Sequence, residues 1–186
     1  MTRRDLPNFI TVIRILLVAP FAWALQHGEY GLALSLFVVA GTSDGIDGWL
    51  ARHYGWHSTL GAVLDPLADK LLLVTAYLGL GLLGFLPMAL VIAVLARDVI
   101  IVSGAVAYRL WFGHLEMAPS LISKLNTLLQ VALAVVAIAS RGLDWLPAWS
   151  ADVLVAAVFA STVLSGAHYV VVWSARAWRE SRRKTP

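Results

Sequence analysis

Four aspartates lie within a strongly apolar part of this sequence, at Asp44, Asp47, Asp65 and Asp69. A carboxylate inside a membrane helix costs about 3 kcal/mol unless it is paired, hydrated or bound to a cation. Four carboxylates on two neighbouring helices would also repel one another. The pattern therefore indicates a site that holds positive charge, and a divalent metal ion is the simplest candidate.

Each pair of aspartates shares a helix face with small residues, because the positions recur at helical spacing along the chain. These residues are Asp44, Asp47, Gly48 and Ala51 in the earlier helix, and Gly61, Asp65 and Asp69 in the later one. A short turn would join the two helices as antiparallel neighbours, so both faces can meet just below one membrane surface. The small residues either leave room for a ligand against the backbone or allow close helix packing.

Only oxygen ligands are available on these two faces. The sequence contains no cysteine, and no histidine lies on either aspartate face. Hard oxygen ligands favour Mg²⁺ or Mn²⁺, with Ca²⁺ as an alternative, over zinc. Other roles for intramembrane aspartates are proton relays, ion-coupling sites and partners of buried bases such as Lys70 or Arg97.

The composition is that of a membrane protein. Of the 186 residues, 60% are hydrophobic and 13% are charged, whereas a soluble domain is about a quarter charged. Six apolar segments match the roughly 20 residues that a spanning helix needs. They cover residues 8–26, 31–52, 60–82, 87–109, 120–140 and 150–174. We predict an all-α integral membrane protein with six transmembrane helices in a single domain, residues 1–186.

The basic residues predict the orientation of the helices. An even number of spans puts both termini on one side, and all of the 14 Lys and Arg residues except Arg141 lie on or toward that side. This asymmetry predicts cytoplasmic termini and an active site in the cytoplasmic half of the membrane. The net charge of +3 then indicates anionic lipid headgroups as partners and no nucleic acid. Without a signal or transit sequence at the amino terminus, we expect a bacterial inner membrane.

The aspartates belong to a longer motif, Asp-x2-Asp-Gly-x2-Ala-Arg-x8-Gly-x3-Asp-x3-Asp, which fixes eight positions over 26 residues from Asp44 to Asp69. This motif resembles the signature of the CDP-alcohol phosphatidyltransferases. Those membrane enzymes transfer a substituted phosphate from a CDP-linked donor to an alcohol and release CMP. The length and the six-helix pattern of the chain are similar to theirs, so the resemblance covers nearly the whole sequence.

The resemblance implies a role for each motif residue. Asp44, Asp47 and Asp65 are expected to hold Mg²⁺ or Mn²⁺, as two ions. Asp69 is expected to help at the metal site and to take the proton from the acceptor hydroxyl. The donor, CDP-diacylglycerol, is expected at the remaining motif positions, with Arg52 as a phosphate contact and the others lining the nucleotide cleft: Gly48, Ala51 and Gly61. The family is usually dimeric, so a homodimer is expected.

Four segments, one of which overlaps the end of the motif, are similar to two branches of the family. Leu6–Arg14 and Leu64–Lys70 fit both the phosphatidylglycerophosphate synthases, whose acceptor is glycerol 3-phosphate, and the eukaryote-type cardiolipin synthases, whose acceptor is phosphatidylglycerol. Ala96–Val99 and Ile122–Gln130 look more like the cardiolipin branch. The cardiolipin branch is therefore favoured, and the glycerol 3-phosphate branch is the alternative.

Asn126 supports this preference with a physical argument, because the phosphatidylglycerophosphate synthases usually carry a lysine at that position. The phosphomonoester of glycerol 3-phosphate has nearly two charges and favours several basic contacts, whereas the phosphodiester of phosphatidylglycerol has one. Arg97, Arg109 and Lys124 are the basic candidates for binding the acceptor phosphate, and they could still hold a phosphomonoester. Arg97 and Lys124 could instead be counter-ions of the aspartates, and Asp98 could orient Arg97 or pair with a lysine.

A transporter coupled to divalent cations or protons is the alternative from another class, since it could use the same carboxylates. Such a protein needs polar groups in both halves of the bilayer. The outer halves of the six segments contain almost none, so the aspartates predict a pocket that opens to one side only.

Overall fold

The computed structural model describes residues 6–54, 61–112, 120–142 and 148–184. Within these ranges all regular secondary structure is α-helical, as predicted. The six helices are α1 (Leu6–Gln26), α2 (Tyr30–Tyr54), α3 (Gly61–Leu82), α4 (Met88–Phe112), α5 (Leu121–Gly142) and α6 (Ala148–Lys184). Five of them end within a few residues of their predicted bounds, whereas α6 continues past the predicted end at residue 174 to Lys184.

Four helical stretches of the described chain are long and apolar enough to cross a membrane: Phe9–Gln26, Met88–Ala107, Leu121–Arg141 and Ala151–Ala175. In α2, the shorter apolar stretch Tyr30–Ser43 lies directly before the aspartate motif. The length and composition of these stretches are those of an integral membrane protein.

The described helices fall into two compact units. The first unit contains α1, α2, α3 and the carboxyl-terminal end of α5 from Ala134 onward. The second contains α4, the first half of α5 up to Leu133, and α6 from Asp152 onward. Each unit has its own buried contacts and its own candidate site residues.

In the first unit, α1 packs against both α2 and α3. The buried ring of Phe21 on α1 meets that of Phe37 on α2, with ring centroids 5.6 Å apart. Gly79 lets α3 approach α1 closely, since a Cβ atom there would lie 2.6 Å from the Cδ2 atom of Leu25. Gly28, with a φ of 77°, makes the left-handed turn that follows α1. This packing brings α3, and with it Asp69, against the buried face of α1.

Arg141 and two aromatic side chains join the ends of three elements of the first unit. The guanidinium carbon of Arg141, in the last turn of α5, lies 4.2 Å from the ring centroid of Phe85 just after α3. The ring of Tyr30, the first residue of α2, meets Phe85 edge-on at 5.6 Å. The cation–π contact gives Arg141 a local role at this end of the unit, away from the motif.

Candidate active site

The backbone places the motif aspartates as predicted, with Asp44 and Asp47 in α2 and Asp65 and Asp69 in α3. The two helices contact each other. Asp69 is the motif aspartate whose side chain the structure describes. For several predicted site residues the structure describes the helix in which they lie and nothing further. Their roles therefore stay predictions: Asp44, Asp47, Gly48, Ala51, Arg52, Gly61, Asp65 and Arg109.

Asp69 forms an ion pair with an arginine of the first helix. The Nη1 atom of Arg14 donates a hydrogen bond of 2.8 Å to Oδ1 of Asp69. The side chain of Arg14 is fully buried, whereas that of Asp69 is 47% exposed. A buried guanidinium is strongly stabilised by an anion at this distance. Arg14 therefore fixes the orientation of a carboxylate that still has access to a ligand.

Arg14 was not singled out from the sequence, because its segment served only for the family resemblance and the bases considered as partners of the aspartates were Lys70, Arg97 and Lys124. One feature of the sequence could have identified Arg14: it is a charged residue in the middle of an apolar segment, and such a residue needs a partner inside the membrane. Thr11, one turn earlier, is also fully buried. This face of α1 therefore points into the first unit and contributes a polar group to the site.

Arg97, in the second unit, is held by partners inside the protein. It is 5% exposed, and its Nε and Nη2 atoms donate to Oγ of Ser165 at 3.2 and 2.9 Å. Nη1 donates to Asp98 at 2.8 Å, and Nη2 also donates to Ser123. The ring of Tyr169 lies 5.9 Å from the guanidinium carbon. Asp98 therefore orients Arg97, which is one of its two predicted roles.

Asn126 joins α5 to α6 and is fully buried. Its Oδ1 atom accepts hydrogen bonds from Ser161 Oγ at 2.7 Å and from Thr162 Oγ1 at 3.0 Å. Its Nδ2 atom is buried and has no hydrogen-bond partner within the described ranges. The two hydroxyl groups therefore fix the amide orientation, and Asn126 lies between helices, away from solvent.

The structure describes the side chains of three predicted acceptor-binding residues, Arg97, Lys124 and Asn126. Of these, Lys124 is the exposed one. It lies in the first turn of α5, where Ser120 Oγ accepts a hydrogen bond of 3.2 Å from the backbone N–H of Ser123 and caps the helix. Within the described ranges, the ammonium group of Lys124 makes neither an ion pair nor a hydrogen bond. It is therefore available to an anionic ligand.

The residues of the motif fit a hard divalent metal ion. The described side chains contain no cluster of three His, Asp or Glu residues, since only Asp69 of the four aspartates is among them. The motif offers carboxylate oxygen donors alone, which are the ligands that Mg²⁺ and Mn²⁺ prefer. The partly exposed carboxylate of Asp69, fixed by Arg14, is compatible with that role.

The sequence profile of the CDP-alcohol phosphatidyltransferases matches residues 4–173. This chain belongs to the CDP-alcohol phosphatidyltransferase family. The match extends over all six helices and includes the whole aspartate motif. Membership in this family of phosphatidyltransferase enzymes accounts for the spacing of the aspartates, and it argues against a cation- or proton-coupled transporter.

Curated relatives carry names from both predicted branches. Human "Cardiolipin synthase (CMP-forming)" is 30% identical in an alignment of 151 residues that covers 73% of this chain and 50% of the human protein. The "Probable phosphatidylglycerophosphate synthase" of Mycobacterium tuberculosis is 35% identical in an alignment of 185 residues that covers 95% of this chain and 83% of that protein. A chloroplastic glycerol-3-phosphate 3-phosphatidyltransferase of rice is 32% identical over 72% of this chain and 46% of its own length. The chain thus spans about half the length of the human relative.

Proposed function

We propose that this chain is a cardiolipin synthase, which transfers the phosphatidyl group of CDP-diacylglycerol to phosphatidylglycerol and releases CMP. The charge of the described acceptor-side residues supports this proposal. The guanidinium of Arg97 is engaged by Asp98, Ser123 and Ser165, and Asn126 is neutral and buried. A neutral Asn126 in place of a lysine removes one positive charge, which suits the single negative charge of a phosphodiester better than the nearly two charges of a phosphomonoester.

In the proposed reaction, Asp69 takes the proton from a glycerol hydroxyl of the acceptor, and Arg14 holds the carboxylate in place for that step. The acceptor oxygen attacks the phosphorus that carries the diacylglycerol, and the bond from this phosphorus to the oxygen of CMP breaks. The site would bind two Mg²⁺ or Mn²⁺ ions through Asp44, Asp47 and Asp65. These ions would neutralise negative charge on the phosphoryl oxygens and on the leaving CMP.

The donor would bind along the rest of the motif. We propose that small residues at Gly48, Ala51 and Gly61 leave space for the nucleotide, and that Arg52 contacts a donor phosphate. Small side chains permit close approach of a ligand to the backbone, and a guanidinium matches phosphate geometry.

We further propose that all six helices cross the membrane as one domain, residues 1–186, with both termini in the cytoplasm. The active site would lie in the cytoplasmic half of a bacterial inner membrane, and the protein would act as a homodimer. The distribution of basic residues supports this orientation, because Arg141 alone is expected on the outer side.

Phosphatidylglycerophosphate synthesis is the second candidate. The match to the M. tuberculosis relative of that name, at 35% identity over 95% of this chain and 83% of the relative, supports it. Glycerol 3-phosphate would then be the acceptor, and the same aspartates would serve.

The test is release of CMP by purified protein given CDP-diacylglycerol with Mg²⁺ or Mn²⁺, with phosphatidylglycerol and glycerol 3-phosphate offered in parallel. Release with phosphatidylglycerol and formation of cardiolipin would support the proposal. Release with glycerol 3-phosphate alone would assign the chain to the second candidate. A reaction without added metal, in the presence of a chelator, would contradict the proposed metal dependence.

A further inference from the structure

The ion pair between Arg14 and Asp69 brings a positive charge from the middle of α1 to the aspartate motif. Nη1 of Arg14 lies 2.8 Å from Oδ1 of Asp69. The contact belongs to the first unit, in which α1 packs against α3. A cation that is distant in the sequence is therefore built into the site that the motif aspartates define.

The charge of Arg14 is held in one place. Its side chain is fully buried. It lies on the face of α1 that also carries Thr11, one turn earlier, and Val18, one turn later, and both of these are buried. A guanidinium keeps its charge inside proteins, and salt screens a buried charge much less than an exposed one. Arg14 therefore supplies a permanent positive charge at a fixed position.

This charge acts on the same carboxylates that the proposed function gives to metal ions. The motif places four aspartates on α2 and α3, and the guanidinium offsets the charge of one of them through a charge-assisted hydrogen bond. A divalent ion that binds to these carboxylates has the same sign of charge as Arg14, so the two cations repel each other. Arg14 and a metal ion therefore compete for the negative potential of the site.

We propose that Arg14 is a fixed counter-charge that lowers the affinity of the aspartate site for divalent metal ions. This role differs from the orientation of Asp69, because orientation requires a hydrogen-bond donor whereas the effect on metal affinity requires a charge. The counter-charge also reduces repulsion among the aspartates, which are costly inside a membrane. The inference rests on the proposed function, in which the motif aspartates bind Mg²⁺ or Mn²⁺.

The experiment measures Mn²⁺ binding and does not depend on turnover. Purified protein in detergent is treated with a chelator, which is then removed. The dissociation constant for Mn²⁺ is obtained at one pH from the electron paramagnetic resonance signal of the free ion. Arg14→Met removes the charge and the hydrogen bond, Arg14→Gln removes the charge and keeps a donor, and Arg14→Lys keeps the charge. Arg141→Met is the matched control, since it removes an arginine charge from the last turn of α5 in the same unit.

Arg14→Met and Arg14→Gln are expected to bind Mn²⁺ about tenfold more tightly than the wild type. An effect of this order is expected for one unit charge near a divalent ion in a partly hydrated site. Arg14→Lys and Arg141→Met should bind Mn²⁺ as the wild type does. The rise in unfolding temperature on addition of Mn²⁺ should be largest for the two neutral variants, because tighter binding to the folded state stabilises it further.

Unchanged or weaker Mn²⁺ binding by folded Arg14→Gln would overturn the proposal, and a purely structural role for Arg14 predicts that result. Equally tight binding by Arg141→Met would also overturn it, since the effect would then follow from net charge alone. Neutral variants that fold with Mn²⁺ and unfold with the chelator would support the proposal, whereas variants that unfold in both conditions would overturn it.

Failure of the proposed function is visible separately, in the wild type. A wild-type protein that does not bind Mn²⁺ removes the proposed metal site itself. A wild-type protein that binds Mn²⁺ with an affinity that the neutral variants do not exceed keeps the metal site and removes only the counter-charge.

Discussion

At the scale of single residues, the contact between Arg14 and Asp69 connects the apolar first helix to the proposed chemistry. Arg14 is fully buried and lies 2.8 Å from the carboxylate, which is 47% exposed. The arginine orients Asp69 through one oxygen, and a general base must be held in reach of the proton that it takes. The pair therefore has a structural consequence and, in the proposed reaction, a catalytic one, and the two can be separated by mutation.

We expect Asp69→Asn to abolish CMP release and to lower stability by about 2 kcal/mol, because the buried Arg14 loses a charged partner. The loss should be smaller than for a fully buried pair, since Asp69 is 47% exposed. Adding Arg14→Met should recover much of the unfolding temperature in detergent without restoring turnover, as a double-mutant cycle would show. Activity in the double variant would contradict the role of Asp69 as the base.

At the scale of helices, buried polar side chains join α4, α5 and α6 in the second unit. Arg97 reaches Ser123 on α5 and Ser165 on α6, and Asn126 accepts hydrogen bonds from two hydroxyls of α6. Apolar contacts discriminate little between helix faces within a lipid environment, whereas hydrogen bonds between helices select one register. These contacts therefore define which face of α5 is buried and which carries Lys124 outward.

Ser165→Ala should lower stability by about 1–3 kcal/mol, because Arg97 loses the acceptor of two hydrogen bonds in a buried position. Ser174→Ala is the matched control, since Ser174 lies on the same helix and is exposed. Thermal unfolding in one detergent measures both variants. Equal unfolding temperatures would show that Ser165 does not hold Arg97.

At the scale of the whole molecule, the motif aspartates lie in α2 and α3, while the four other helices contain stretches that meet the length and composition of a membrane span. A carboxylate pocket in α2 and α3 can be tolerated in a membrane where it opens to water or binds cations. The family match over residues 4–173 extends over all six helices. The proposed orientation then decides from which side the nucleotide donor reaches the aspartates.

Labelling of single cysteines tests this orientation directly, because the natural sequence contains no cysteine. Glu29→Cys lies in the turn between α1 and α2, and Ser120→Cys lies just before α5. In intact cells, a membrane-impermeant maleimide should label position 29, and it should label position 120 only after permeabilisation. Labelling of both positions from one side would contradict the arrangement of six spans with cytoplasmic termini.

The sequence by itself determined the helical class, five sets of helix bounds, and the family. Apolar length and motif spacing are local properties, and they can be read without knowing how the chain packs. The predicted end of α6 at residue 174 was wrong, because apolar length marks only the part of a helix within the membrane. The stretch from Arg176 to Lys184 is rich in charged residues. Arginine, lysine and glutamate nevertheless favour helix, and α6 continues to Lys184.

The tertiary structure alone decided which polar residues meet. Arg14 and Asp69 are 55 positions apart, and Arg97 and Ser165 are 68 apart, so no periodicity in the sequence relates them. Both arginines were visible as charges that need partners inside apolar helices, but several carboxylates and hydroxyls could have served. The choice depends on which helix faces pack together, and that packing directs Arg14 to Asp69, turns Arg97 inward and leaves Lys124 exposed.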